Sequence, residues 1–305
     1  AEELARERHL IDTVYIKDPS GLLTPERVRT IVPALRAALG EDMPLEIHSH
    51  CNMGMAPLCY LEAVRLGVET VHTAIPPLAE GTSLPSIFRT VANLRELGFE
   101  VEIDLEPLQH VSEYLFRLAR RKGYPIGQPL EYDVSYYRHQ VPGGMITTLR
   151  RHLKEAGAEH RFQDVLEEIV RVRAELGYPI MVTPYSQLVA TQALMNLESR
   201  ERYEKVPDEV IKYVLGRYGP PPAPIEPWVK ERVLSLPRAR ELDVPIPEPT
   251  LEELRREFGG TISDEELLLR WALPGDQVDA ALARKTGNVA VNGNGVTHPL
   301  AQLIA

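Results

Sequence analysis

The chain has 305 residues, 44 % of them hydrophobic, and a formal net charge of −10 at neutral pH. That is apolar material for one large core or two smaller ones. The negative charge argues against nucleic acid or an anionic membrane as the main partner, and no apolar run approaches the roughly 18 residues of a membrane span. Two cysteines, Cys51 and Cys59, are too few for a disulfide framework; with no signal peptide visible, the expected compartment is the cytoplasm.

The chain opens AEELARERH, which reads as the tail of a helix already under way, with residues upstream expected to be absent. Residues 12–17 (DTVYIK) are β-branched and aromatic and predict a strand. Thr24, Pro25 and Glu26 then mark a helix start, with Val28, Ile31, Val32, Leu35 and Leu39 as its apolar face, Pro33 as a kink and Gly40 as its end. A second strand is predicted at 44–50 (PLEIHSH), a second helix at 57–66, a third strand at 69–75 (ETVHTAI) and a third helix at 84–97. Three βα units joined by short links predict parallel strands.

From about residue 104 the character changes. Amphipathic stretches are predicted at 106–122, 147–156, 162–176, 185–195, 208–215, 228–235 and 264–272. The segment 219–227 (GPPPAPIEP) is too rich in proline to be helical and reads as a stiff extended linker. Residues 287–305, with Asn-Gly repeats, read as a flexible tail. Three parallel strands alone leave an open edge on each side; a barrel of eight such units has none and carries its site on the loops after the strands. The expected fold is therefore α/β. Residues 1–103 form the last three βα units of a (β/α)8 TIM barrel, and 104–286 a mostly helical domain. The competing reading is a small open sheet within a largely helical protein.

His48 and His50 are two apart on a strand and face the same way at its end, an arrangement that suits a divalent metal ion or a hydrogen-bonded surface pair. Lys17 ends the preceding strand. Beside Asp18 it reads as a solvated charge. Next to metal-binding histidines it reads as a lysine carbamylated by carbon dioxide, which presents an anionic oxygen where a protonated amine cannot bind. Thr183, in MVTPYSQ, is a helix cap or a catalytic hydroxyl. Pro142, Gly143 and Gly144 predict a tight turn, Met145 a core position, and Cys51 a buried thiol rather than a further ligand.

Together the stretches DTVYIKDPSGLLTP, EIHSHCNMG, EGTSLPS, RHQVPGGMITTL and MVTPYSQ resemble the carboxyltransferase component of biotin-dependent enzymes. That family includes the oxaloacetate decarboxylase alpha chain, the pyruvate carboxylase B subunit and the pyruvate-side subunit of transcarboxylase. A later stretch, EVIKYVLGRYGPPPAPIEP, resembles its helical domain, so the likeness runs from about residue 12 to residue 285. The resemblance implies that a carbamylated Lys17, His48 and His50 bind a divalent ion (Zn, Mn or Co). It implies that Thr183 shuttles a proton between biotin and pyruvate, and that Ser186 helps hold biotin, with Gln187 beside it where many pyruvate carboxylases have lysine. The implied reaction moves a carboxyl group between carboxybiotin and pyruvate or oxaloacetate. Biotin would be carried on a separate domain or subunit, and the assembly would be a dimer or larger.

The sequence departs from the family in places. Cys51 and Asn52 follow the histidines where Asp-Thr is common, the loop reads IKDPSG rather than IKDMAG, and a common aspartate of the third strand is His72. The first five barrel strands, with a metal-ligand aspartate and the groups that clamp the pyruvate carboxylate, are not in this chain, nor is a biotin-attachment segment. Two other readings stand beside this one: a metal-dependent lyase or condensing enzyme of the hydroxymethylglutaryl-CoA lyase superfamily, and an incomplete fragment inactive on its own.

Overall fold

The computed structural model describes residues 2–244 and 249–285. The tail expected at 287–305 lies outside them. The chain divides into two compact units, Ala1–Asp243 and Val244–Ala305. Among the described residues no helix is long and apolar enough to cross a membrane.

The first unit opens with α1 (Glu2–Arg6) and a short 3-10 turn, then alternates: β1 (Val14–Asp18), α2 (Pro25–Leu39), β2 (Leu45–Ser49), α3 (Ala56–Arg65), β3 (Thr70–Val71) and α4 (Ile87–Glu96). The strands form one sheet in the order β1-β2-β3, both pairings parallel, with Lys17 opposite His48 and Ile47 opposite Val71. α2 begins as its sequence dictates: the Thr24 side chain accepts the Arg27 N–H, Pro25 fills the first turn, and Gly40 closes the far end. β3 is a correction. A strand over 69–75 was expected; only Thr70 and Val71 hold the ladder, with a single parallel bridge from Ala74 to Ser86 beyond it. The chain turns at Pro76 and Pro77, which have no N–H to give a neighbour.

β2 shows why one face became core and the other a site. Leu45, Ile47 and Ser49 are buried, while Glu46 and His48 are half-buried on the other side. Leu45 and Ile47 pack with Val28, Val32 and Leu39 of α2 and with Cys59, Tyr60 and Ala63 of α3.

The rest of this unit is helical: α5 (Glu106–Lys122), α6 (Tyr136–His139), α7 (Gly143–Glu155), α8 (Phe162–Glu175), α9 (Tyr185–Glu198), α10 (Asp208–Val214), α11 (Pro227–Leu234) and α12 (Pro237–Leu242). Its core draws on α7 to α12 and takes in Met53 from the loop after β2, with Met145 half-buried at its margin. The proline-rich segment is non-helical as expected up to Glu226, with Pro227 already the first residue of α11, and it is docked: Ala223 N–H donates to the Gly177 carbonyl at 3.0 Å and Glu226 N–H to the Glu175 carbonyl at 2.9 Å. Pro142-Gly143-Gly144 is a second correction, because Pro142 is the N-cap of α7 and both glycines are its first helical residues.

The second unit contains α13 (Leu251–Phe258), α14 (Asp264–Ala272) and α15 (Gly275–Lys285). Thr250 and Glu253 close a reciprocal capping box on α13, and Ser263 caps α14. Leu254, Leu267 and Val278 are its buried residues.

Candidate active site

Strand alternation places Lys17, His48 and His72 in one row across the exposed face of the sheet, with Tyr15 and Glu46 in the row behind. Lys17 is solvent-exposed on that face. Asp18 is not its partner. One residue on, it points to the opposite side and is buried, and its carboxylate accepts the N–H groups of Leu22 and Leu23 at 2.8 and 2.9 Å and the Ser49 hydroxyl at 2.7 Å. Those bonds fix the loop that follows Lys17. Gly21 belongs to the same device. It sits at φ +68°, and a Cβ there would come within 2.6 Å of the His50 carbonyl, so the loop closes on β2 only with glycine.

The imidazoles form a chain. His48 Nε2 lies 3.2 Å from His50 Nε2, and His48 Nδ1 lies 3.1 Å from His72 Nδ1. His72 Nε2 is 2.6 Å from the Glu46 carboxylate, and His50 Nδ1 is 2.7 Å from the Thr82 carbonyl. The two ends set the proton positions, since a carbonyl and a carboxylate only accept. His50 therefore donates from Nδ1, which in the neutral ring leaves Nε2 bare. His72 donates from Nε2, its neutral ring offers a lone pair at Nδ1, and His48 donates into it, so His48 Nε2 is bare too. Burial first, then the charges of His50, His72 and Lys17, push His48 down to about 4, so it is neutral near pH 7.

Two lone pairs facing each other at 3.2 Å repel unless a cation lies against both. The separation suits such an ion, because two imidazole nitrogens each about 2.1 Å from one metal stand about 3.0 to 3.4 Å apart at ordinary ligand angles. Ligating histidines also characteristically donate their other N–H to a carbonyl or an acidic group, as both rings do here. A second proton on His72 offers another solution: it turns His48 round and closes Nε2–H onto His50. That arrangement and a bound cation exclude each other.

Among the described residues no group of three or more His, Cys, Asp or Glu side chains is gathered to hold a metal ion. The ring atoms that fit are those of His48 and His50, with Lys17 beside them. Cys51 is buried at 1 % exposure, and burial, with Glu80 nearby, pushes its thiol up, away from the thiolate a metal takes.

Thr183, Ser186 and Gln187 lie at the start of α9, and no hydrogen bond among the described residues joins them to the histidines. Thr183 does not cap the helix. Pro184 holds the N-cap position without a side-chain bond, and Thr183 is exposed. Ser186 is fully buried with its Oγ unpartnered, whereas Gln187 is exposed. The helices nevertheless meet the sheet's loops directly. Gly143 N–H donates to the Pro19 carbonyl at 3.0 Å, the Ser20 hydroxyl donates to the Gln140 carbonyl at 2.5 Å, and Arg27 lies over the Tyr137 ring at 4.5 Å. A Cβ on Gly143 would fall 2.3 Å from the Thr82 carbonyl, the same oxygen that orients His50. Sequence reasoning noted His72 only as a departure and missed its bond to His48; its one signal was a polar residue two beyond Thr70 on the site face.

Comparison with known proteins shows the family. The family model described as HMGL-like matches residues 9–115, and the conserved carboxylase domain matches 136–297, more than half of the chain. The pyruvate carboxylase B subunit of Methanothermobacter thermautotrophicus is 40 % identical over 89 % of this chain and 48 % of its own length. The protein of the same name from Methanocaldococcus jannaschii is 39 % identical over 86 % and 47 %. The 2-oxoglutarate carboxylase large subunit of Hydrogenobacter thermophilus is 32 % identical over 91 % and 44 %. The carboxyl transferase domain of Rhizobium etli pyruvate carboxylase superposes with a TM-score of 0.72 at 26 % identity, over 93 % of this chain and 50 % of that one. The chain thus spans about half the length of the curated relatives it matches. It is an α/β protein with an HMGL-like, TIM-barrel-type part, and it belongs to the conserved carboxylase domain family of biotin-dependent carboxyltransferases.

Proposed function

We propose that the chain is the carboxyltransferase part of a biotin-dependent enzyme, of the same type as the oxaloacetate decarboxylase alpha chain or the pyruvate carboxylase B subunit. It moves a carboxyl group between N1 of biotin and the methyl carbon of pyruvate. The observation that carries this is the pair of imidazole Nε2 atoms of His48 and His50 at the end of β2, 3.2 Å apart, with His48 in register with Lys17. In this reading residues 1–103 are the last three βα units of an eight-unit barrel, and 104–286 are the helical carboxylase domain.

His48, His50 and Lys17, the last as its carbamate, would hold a divalent ion of the Zn, Mn or Co kind. When bound, that ion supplies positive charge beside the oxygen on which the pyruvate enolate develops its negative charge. The Thr183 hydroxyl handles the proton. As the N1–carboxyl bond of carboxybiotin breaks and carbon dioxide leaves, N1 takes the hydroxyl proton and the hydroxyl takes one from the pyruvate methyl. The enolate carbon then bonds the carbon dioxide to give oxaloacetate, and the reverse sequence decarboxylates it. A hydroxyl does this without retaining charge, and its exposure leaves it open to both reactants. Ser186, with its buried and unpartnered Oγ, and Gln187 next to it are the positions proposed to hold the biotin ring. Biotin arrives on a separate carrier domain or subunit, and the working assembly is a cytoplasmic dimer or larger.

The test is Thr183→Ala in the full protein. Transfer from oxaloacetate to biotin should be abolished while metal content and thermal midpoint stay at wild-type values; a fully active variant contradicts the assignment. Running pyruvate, 2-oxoglutarate and an acyl-CoA substrate side by side separates this reading from a lyase, which the HMGL-like match over residues 9–115 keeps in view.

A further inference from the structure

His72 and Glu46 are not themselves placed to hold an ion at the two bare nitrogens, because each is already committed. His72 is joined to His48 through Nδ1 and to Glu46 through Nε2, at 3.1 and 2.6 Å. Both side chains are partly open, at 31 % and 22 % exposure, and neither belongs to the apolar core under the sheet. A hydrogen bond this open to solvent contributes little to folding. Its geometry has a consequence elsewhere. Glu46 accepts only, so it selects the His72 tautomer with hydrogen on Nε2, and that tautomer selects the His48 tautomer with hydrogen on Nδ1. On the other ring the Thr82 carbonyl does the same work in one step.

We propose that Glu46 and His72 are positioning residues for the divalent ion. Together they act as a two-residue relay that holds His48 with Nε2 bare and turned toward His50. This rests on the reading of His48 and His50 as ligands. The relay does through a carboxylate and an imidazole what a single acceptor beside His48 would do directly.

The experiment measures Zn2+ affinity of the full protein by competition with a chromophoric chelator, for wild type, His72→Leu, His72→Asn, Glu46→Ala and His48→Ala. Asparagine carries Oδ1 where histidine carries Nδ1, each one bond from Cγ, while its amide nitrogen takes the place of Cδ2 and stops one bond short of the Nε2 that reaches Glu46. His72→Asn therefore still presents an acceptor to His48. Removing a partner of this kind typically costs 10–100-fold in metal affinity. His72→Leu is expected to lose about that much, Glu46→Ala less, and His72→Asn to stay near wild type. The Tyr60 hydroxyl bonds the His72 backbone carbonyl, at 2.6 Å, so the variants keep that anchor, and the thermal midpoints of the metal-free proteins should coincide. Wild-type affinity in His72→Leu overturns the proposal, as does a His72→Asn that falls as far as His72→Leu. If Zn2+ binding does not depend on His48 either, the ligand reading fails and takes the relay with it; dependence on His48 but not on His72 removes the relay alone.

Discussion

The sheet face and the α8–α9 helix pair both concentrate polar side chains, and they finish their hydrogen bonding in opposite ways. In the helix pair the groups close on one another. Glu168, only 4 % exposed, accepts from Arg202 at 2.6 Å and Asn196 at 3.0 Å, while Glu175 accepts from Arg202 at 2.6 Å and Tyr203 at 3.0 Å. Asn196 Oδ1 in turn takes Gln192 and the Tyr203 N–H, at 2.8 and 2.9 Å, leaving Gln192 Oε1 as the unpartnered atom of the set. On the sheet the chain of bonds runs in from both ends and stops with two acceptors facing each other. A network that satisfies itself holds structure; one that ends on two lone pairs leaves room for a ligand of the opposite charge.

The comparison breaks most visibly at Arg202. Arg202→Met leaves the enclosed Glu168 carboxylate with Asn196 at 3.0 Å and Arg171 at 3.8 Å as its remaining partners, and loss of a charged hydrogen bond at such a site costs about 1–3 kcal/mol. Denaturant melts should show that loss, while Zn2+ affinity measured below the unfolding transition stays unchanged. Gly143→Ala should couple the two regions instead. Its Cβ falls 2.3 Å from the Thr82 carbonyl and 2.4 Å from Asn52 Oδ1. The crowding should cost about 1–3 kcal/mol and, by displacing the acceptor of His50, weaken Zn2+ binding as well. Unchanged Zn2+ affinity in this variant would separate the helices from the site.

The smallest effect concerns two histidines with the same displacement. Burial pushes His139 down to about 4, as it does His48, but His139 Nδ1 accepts the Val141 N–H at 3.0 Å and so is satisfied when neutral. A histidine lowered on folding contributes stability that is complete above its ordinary value of 6.5 and is lost as pH falls from there toward 4. For His139 the loss should reach about 1 kcal/mol by pH 5.5. His139→Asn keeps an acceptor for Val141 without titrating there and should flatten that part of the profile; an unaltered slope refutes the assignment.

Much of this was legible in the sequence. The strand expected at 44–50 is β2, Leu45–Ser49, and the Thr24-Pro25 start and Gly40 stop of α2 stand where those residues predict. What was not legible depended on neighbours in space. Periodicity tells which side of a strand a residue faces, not which strand lies alongside, so His72 was visible as a substitution but not as the partner of His48. Gly143-Gly144 read as a turn because glycine usually marks one, yet Gly143 is there for close approach to Thr82 at the head of a helix. Ser186 entered only through the family resemblance, as a residue that helps hold biotin, and only the packing of α9 shows that it is enclosed.

The most direct test is anomalous diffraction from a zinc-saturated crystal at the zinc edge. One peak is expected at the end of β2, about 2.1 Å from both His48 Nε2 and His50 Nε2, with added density on the Lys17 amine and His72 still bridging His48 to Glu46. A saturated crystal whose anomalous peak lies elsewhere, with the two Nε2 atoms still in contact, would contradict the account.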